Sequence, residues 1–113
     1  MNELSSIEYK GKKYALVFNL NVMEMIQEKY GSVEKWGELV EASEEPKAKD
    51  IKFGFAAMLN EGIDIYNEDN DDERPYFTER QAGRIISEIG LKTAAEKLNN
   101  MVVESTKSDE KNA

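Results

Sequence analysis

At 113 residues, with 40% hydrophobic and 34% charged side chains, the chain is long enough for one core and too short for two. Zero cysteines and zero histidines exclude a disulfide framework, a thiolate or imidazole zinc site, and any triad built on a cysteine nucleophile or histidine base. A formal net charge of −8 argues against nucleic acid as a partner, because phosphate contacts need clustered lysine and arginine, and favours proteins with basic or apolar faces.

No apolar run approaches the roughly 20 residues that span a bilayer, so no membrane role is expected. The opening MNELSSIEYKG lacks a basic stretch followed by an apolar one, and the chain is expected to remain in the cytoplasm. In chain order, SSIEYKGKKYALVF (5–18) reads as a β-hairpin, with Ile7 and Tyr9 on one arm and Tyr14, Leu16 and Phe18 on the other sharing a face. Gly11 as first central residue of a two-residue turn predicts type II′ geometry, pairing Tyr9 with Tyr14. A turn centred on Lys10 and Gly11 is the competing register and keeps the same apolar face. An isolated hairpin is marginal in water, so this one needs helices or strands of another chain to lie on.

Asn21 predicts the cap of a first helix, with Glu24 closing a capping box and Leu20 and Met25 forming a hydrophobic staple. Val22, Met23, Ile26 and Tyr30 make its stripe, and Gly31 its left-handed stop. Ser32 then caps a second helix whose inner face is Val33, Trp36 and Val40, with Trp36 at the edge of the core. EASEEPKAK (41–49) is a polar connection broken by Pro46. From about Ala48 to Tyr66 runs the central helix, with Ile51, Phe55, Met58, Leu59, Gly62, Ile63 and Tyr66 at helical spacing. Gly54 and Gly62 inside it cost about 1 kcal/mol each against alanine, which implies a close neighbour. Phe53 and Ala57 lie off the stripe, covered either by the hairpin, the favoured reading, or by another subunit.

NEDNDDER (67–74) is an acidic surface loop whose spacing fails the calcium-binding EF-hand pattern. Adjacent carboxylates, Glu44 with Glu45 and Asp71 with Asp72, have no apolar flank to raise a pKa for acid catalysis. Thr78 and Gln81 predict a capping box for a fourth helix, with Phe77 and Ala82 as staple, Ala82, Ile85, Ile86 and Ile89 as stripe and Gly90 as stop. Thr93 with Glu96 predicts another capping box for a fifth helix facing inward through Ala94, Leu98, Met101 and Val102. The class is therefore α+β, mainly α: an N-terminal hairpin on a bundle of about four to five helices. Residues 1–104 are expected to form the single domain, and 105–113 a disordered polar tail. No catalytic, cofactor or metal constellation stands out, and a non-enzymatic role is expected.

The order of these pieces carries a resemblance. IEYKGKKYALVFNL leads into NVMEMIQEKYG, then GSVEKWGEL, FGFAAMLNEGIDIY and FTERQAGRIISEIG, followed by a polar tail. This is similar to the small tail assembly chaperones of long-tailed bacteriophages and prophages of Gram-positive bacteria. The resemblance implies a mainly helical protein of the host bacterial cytoplasm that binds the tape measure protein during tail building. It further implies help in recruiting the tail tube protein, without a cofactor, and departure before the virion is complete. A holdase for a helical client needs an apolar groove, and Trp36, Phe53, Met23 and Met58 are the candidate contacts. Two other classes remain open: a structural tail component, terminator-like or connector-like, forming a homo-oligomer through the hairpin edge, or an acidic inhibitor that mimics nucleic acid.

Overall fold

The computed structural model describes the backbone of residues 6–41 and 47–112, and side chains in these segments as far as residue 105. The Pro46 connection and the Glu44–Glu45 pair lie outside the described residues. Strands β1 (Ser6–Tyr9) and β2 (Lys12–Ala15) pair antiparallel, Ser6 with Ala15, Ile7 with Tyr14, Glu8 with Lys13 and Tyr9 with Lys12. The turn is therefore Lys10–Gly11, the competing register rather than the favoured one. Lys10 and Gly11 have φ of 52° and 80°, the doubly positive backbone of a type I′ turn, whose twist matches that of paired strands. The apolar face survives the shift. Ile7 and Leu16 are buried, and Tyr9 and Tyr14 meet the Phe77 ring edge-on at 5.8 and 5.0 Å.

Five helices follow among the described residues: α1 (Leu20–Tyr30), α2 (Val33–Val40), α3 (Ala48–Asn70), α4 (Glu79–Ile89) and α5 (Leu91–Asn112). The class is α+β, mainly α, as expected, and α3 is its axis. At 23 residues α3 is about 35 Å long by the helical rise, close to the full 37 Å extent of the molecule. Ile51, Phe55, Met58, Leu59 and Ile63 are buried along it. Its two glycines admit neighbours where a side chain would collide. A Cβ at Gly54 would overlap the Trp36 ring, and one at Gly62 the carbonyl oxygen of Ala15. Just beyond β2, the amide of Val17 donates to the Met58 carbonyl at 3.2 Å, pinning the strand exit to the helix backbone.

The helix ends show where local signals hold and where distant groups override them. Ser32 caps α2 through a 3.0 Å bond from the Lys35 amide, and Gly31 stops α1 with φ 93°. Thr78 and Gln81 form the full capping box of α4, and Gly90 ends it with φ 100°. α1, however, is capped by Asn19, whose Oδ1 accepts from the Val22 amide at 3.2 Å. Asn21 instead turns outward to α3, and Leu20, 77% exposed, is no buried staple. α5 starts directly after Gly90, whose carbonyl accepts from the Ala94 amide, so Thr93 lies in its first turn and not at a cap. Ala94 and Leu98 are buried, while Met101 and Val102 pack at the margin. The backbone stays helical through 105–112, where the polar composition suggested disorder; a helix already nucleated propagates at one hydrogen bond per added residue. α3 likewise continues through Asn67–Asn70, so half of the expected acidic loop is helix, closed by Asp71 in the left-handed conformation. Among the described residues no helix is long and apolar enough to cross a membrane.

Candidate protein-binding groove

Along α3 the residues Phe53, Ala57 and Glu61, and likewise Ala56, Asn60 and Asp64, recur at intervals of four and share a face. This face is the floor of a surface groove of about 360 Å³. The two alanines supply its depth, since each replaces a larger side chain between the Phe53 ring and the polar far end. One wall is α1, where Met25 stands 44% exposed. The α1 wall is tied down at its start: Asn19 and Asn21 both donate to Glu61 Oε2, at 2.7 and 3.1 Å. That shared acceptor, some forty residues away in sequence, explains why Asn21 serves α3 and leaves the cap to Asn19.

The opposite wall is the segment after Asp71. Asn60 grips it at Phe77, accepting from the Phe77 amide at 2.7 Å and donating to its carbonyl at 2.9 Å. Seven residues on, Asn67 makes the same pair of bonds with Arg74, both at 3.0 Å. The two amides thus replace a strand partner for this segment, satisfying backbone groups that a loop lying on a helix would otherwise leave unpaired. Arg74 lies over the Tyr66 ring at 3.8 Å and donates to the Lys13 carbonyl, fastening the hairpin to the same segment. Tyr76, 58% exposed, donates to Asp64 at 2.7 Å. That bond and the charge of Asp64 hold the Tyr76 phenol above its ordinary pKa, so it stays protonated and serves as a donor.

Glu61, Asp64 and Glu79 rim the groove. Glu61 and Asp64 each engage one oxygen with neutral donors, and Glu79 engages none among the described residues. Among the described residues the hydrogen bonds to this rim therefore come from neutral groups alone. Among the described residues no three acidic, histidine or cysteine side chains are grouped to hold a metal ion. A floor that is apolar from Phe53 to the two alanines and acidic towards Glu61 and Asp64 is a surface for binding.

Of the four candidate contacts read from sequence, the groove contains Phe53 alone. The ring is half-buried, packed edge-on against Tyr30 at 5.8 Å, with the Lys29 ammonium 4.3 Å from its centroid. Its cover is thus the end of α1, and not the hairpin, which lies on Gly62 further along α3. Trp36 is 1% exposed and donates from Nε1 to the Asp50 carbonyl at 3.0 Å. Met58 is fully buried, so both are core residues with no surface to offer a partner. Met23 is half-buried and does not line the groove. The residues that sequence reasoning missed are Tyr76 and the acidic rim. Met25 was assigned to a staple, and Tyr76 stands between Pro75 and Phe77 in a connection whose course only α3 decides.

A second site of close packing secures the other end of α3. The buried Asp50 accepts from the Tyr30 hydroxyl at 2.6 Å while its carbonyl takes the Trp36 indole, joining α1, α2 and α3 at one residue. Burial first, then this hydrogen bond and the charge of Asp50, raise the Tyr30 pKa well above its ordinary value. A smaller hollow of about 200 Å³ lies between α2 and α5, floored by Trp36, Val40 and Val102 and edged by Glu34, Glu38 and Glu41. In comparisons with known proteins, no family model, curated protein or solved structure matches the chain.

Proposed function

We propose that the chain is a non-catalytic tail assembly chaperone that holds a long helical client, the tape measure protein, in the bacterial cytoplasm and helps recruit tail tube subunits. The observation that carries this reading is the groove on α3: an apolar floor, with Met25 and Tyr76 exposed on its walls and carboxylates around it. Exposed apolar residues gathered at one concave place mark a protein-binding surface more often than scattered ones do. Acidic surroundings keep such a body soluble while its client is absent. The order of hairpin and helices that resembles this family supplies the identity of the client, which the groove by itself does not name. A release step would follow from binding that depends on one shallow groove, since few contacts are lost when the client assembles elsewhere.

A ring-forming tail component would need a free strand edge. On β2 Arg74 engages the Lys13 carbonyl, and just past the strand the Val17 amide is taken by Met58, so this edge is partly covered. Co-expression with a tape measure protein tests the proposal. The two products should purify as a soluble complex, with the client aggregating when expressed alone. Recovery of this chain as a stoichiometric part of purified virions would overturn it.

A further inference from the structure

We infer that the α3 groove grips an amphipathic helix whose apolar stripe is flanked by lysine or arginine. The inference rests on the holdase reading and names the chemistry of the segment that is held. Between Phe53 and Tyr76 the floor is built from Ala56 and Ala57, leaving room for inserted aliphatic side chains rather than for a flat contact. The apolar surface also extends beyond the groove. Ile65, 38% exposed, lies one turn past Glu61 on α3, and Leu20, 77% exposed, stands in sequence between the two asparagines that bind Glu61. A strip of this form suits an extended helix presenting residues at intervals of three and four, and is longer than a small ligand would require.

The charges select the partner's sign. Glu61, Asp64 and Glu79 border the groove on a body of net charge −8, and among the described residues the only hydrogen bonds to these carboxylates come from the neutral donors Asn19, Asn21 and Tyr76. Lys29 stands over the Phe53 and Tyr30 rings, at 4.3 and 5.9 Å, and is not among the residues that line the groove. Cations flanking an inserted leucine would meet carboxylates at the groove's border, and an acidic helix with the same stripe would meet repulsion. Because the rim is solvent-accessible, the attraction is screened by salt, whereas the apolar insertion is not.

The test uses the full chain and three fluorescein-labelled peptides of about 18 residues, five helical turns. One carries leucines at helical spacing flanked by lysines, one the same leucines flanked by glutamates, and one the lysine peptide scrambled. Fluorescence anisotropy should show binding of the first alone. The double variant Asp64→Asn, Glu79→Gln keeps the Tyr76 acceptor and should weaken binding about fivefold, ~1 kcal/mol. Met25→Ser should weaken it with the salt dependence unchanged. Equal binding of the acidic peptide, binding of the scrambled one, or indifference to the double variant would overturn the inference. If the lysine peptide is ignored while the co-expressed client is still held in solution, this inference falls and the holdase reading stands. If the peptide binds but no client complex forms, the groove chemistry stands and the holdase reading falls.

Discussion

Gly62 and Gly37 occupy helix interiors, and alanine at the two positions should change stability in opposite directions. Intrinsic propensity favours alanine over glycine by about 1 kcal/mol per site. At Gly37 in α2 nothing lies within 4 Å of the added Cβ, so that gain should appear almost in full. At Gly62 the Cβ would fall on the carbonyl oxygen of Ala15, which is strand backbone and cannot rotate away. To admit it, β2 must lift from α3, straining the Val17–Met58 bond and loosening Tyr9 and Tyr14 from Phe77. Overpacking of this kind costs typically 1–3 kcal/mol. Against the propensity gain, Gly62→Ala should therefore destabilise by roughly 0–2 kcal/mol, about 1 kcal/mol at the middle of that range. For a chain of this size 1 kcal/mol corresponds to about 4 °C, so the two variants should melt roughly 8 °C apart, on either side of wild type. Urea denaturation followed by circular dichroism should return the same ordering with unchanged slopes. Stabilisation by Gly62→Ala comparable to that by Gly37→Ala would refute the seating of the hairpin on α3, and with it the account of the register.

Trp36→Ala should cost roughly 3–5 kcal/mol, since it empties a core position and removes the indole donor to the Asp50 carbonyl; a stable variant that had merely lost client binding would return Trp36 to the surface. Asn60→Ala removes both bonds to Phe77 and should destabilise by about 1–3 kcal/mol, with faster hydrogen exchange confined to the residues after Asp71; uniform acceleration would show that the amide does not act as a local clamp. Tyr30 and Tyr76 both have raised folded-state pKa values, so the folded chain retains these phenolic protons more tightly than the unfolded one. The resulting stability is present below the ordinary value of 10.0 and is lost as pH rises through the folded values, so ultraviolet titration should show late phenolate formation, advanced for Tyr76 by Asp64→Asn. Millimolar calcium should leave the melting temperature unchanged, and a rise of several degrees would contradict the description of Asn67–Asn70 as a helix end.

Much of the fold was legible because its signals act over a few residues. Ser32, Thr78 and Gln81 reach amides three positions away, and Gly31 and Gly90 adopt backbones that other residues avoid, so no distant partner was needed to place them. The stripes of α3, α4 and α5 follow from period alone. The groove was less legible. It requires Met25 and Tyr76 to face the alanines of α3, and neither residue carries a pattern that says so. Methionine and tryptophan were natural contact candidates by type, yet Trp36 and Met58 fill the interior, the Trp36 ring in the space that the bare backbone of Gly54 leaves.

By itself, the sequence determined a small acidic, mainly helical chain with a leading hairpin, the stops between its helices, and the inner face of each. Tertiary structure decided which asparagine caps α1, which register the hairpin takes, and where the apolar surface remains open. In each case two local solutions lie close in energy. Glu61 draws Asn21 away from the cap, and the bare backbone at Gly62 holds Ala15 in one register. Asn60 lays Tyr76 beside the groove that short-range preference alone would never have formed.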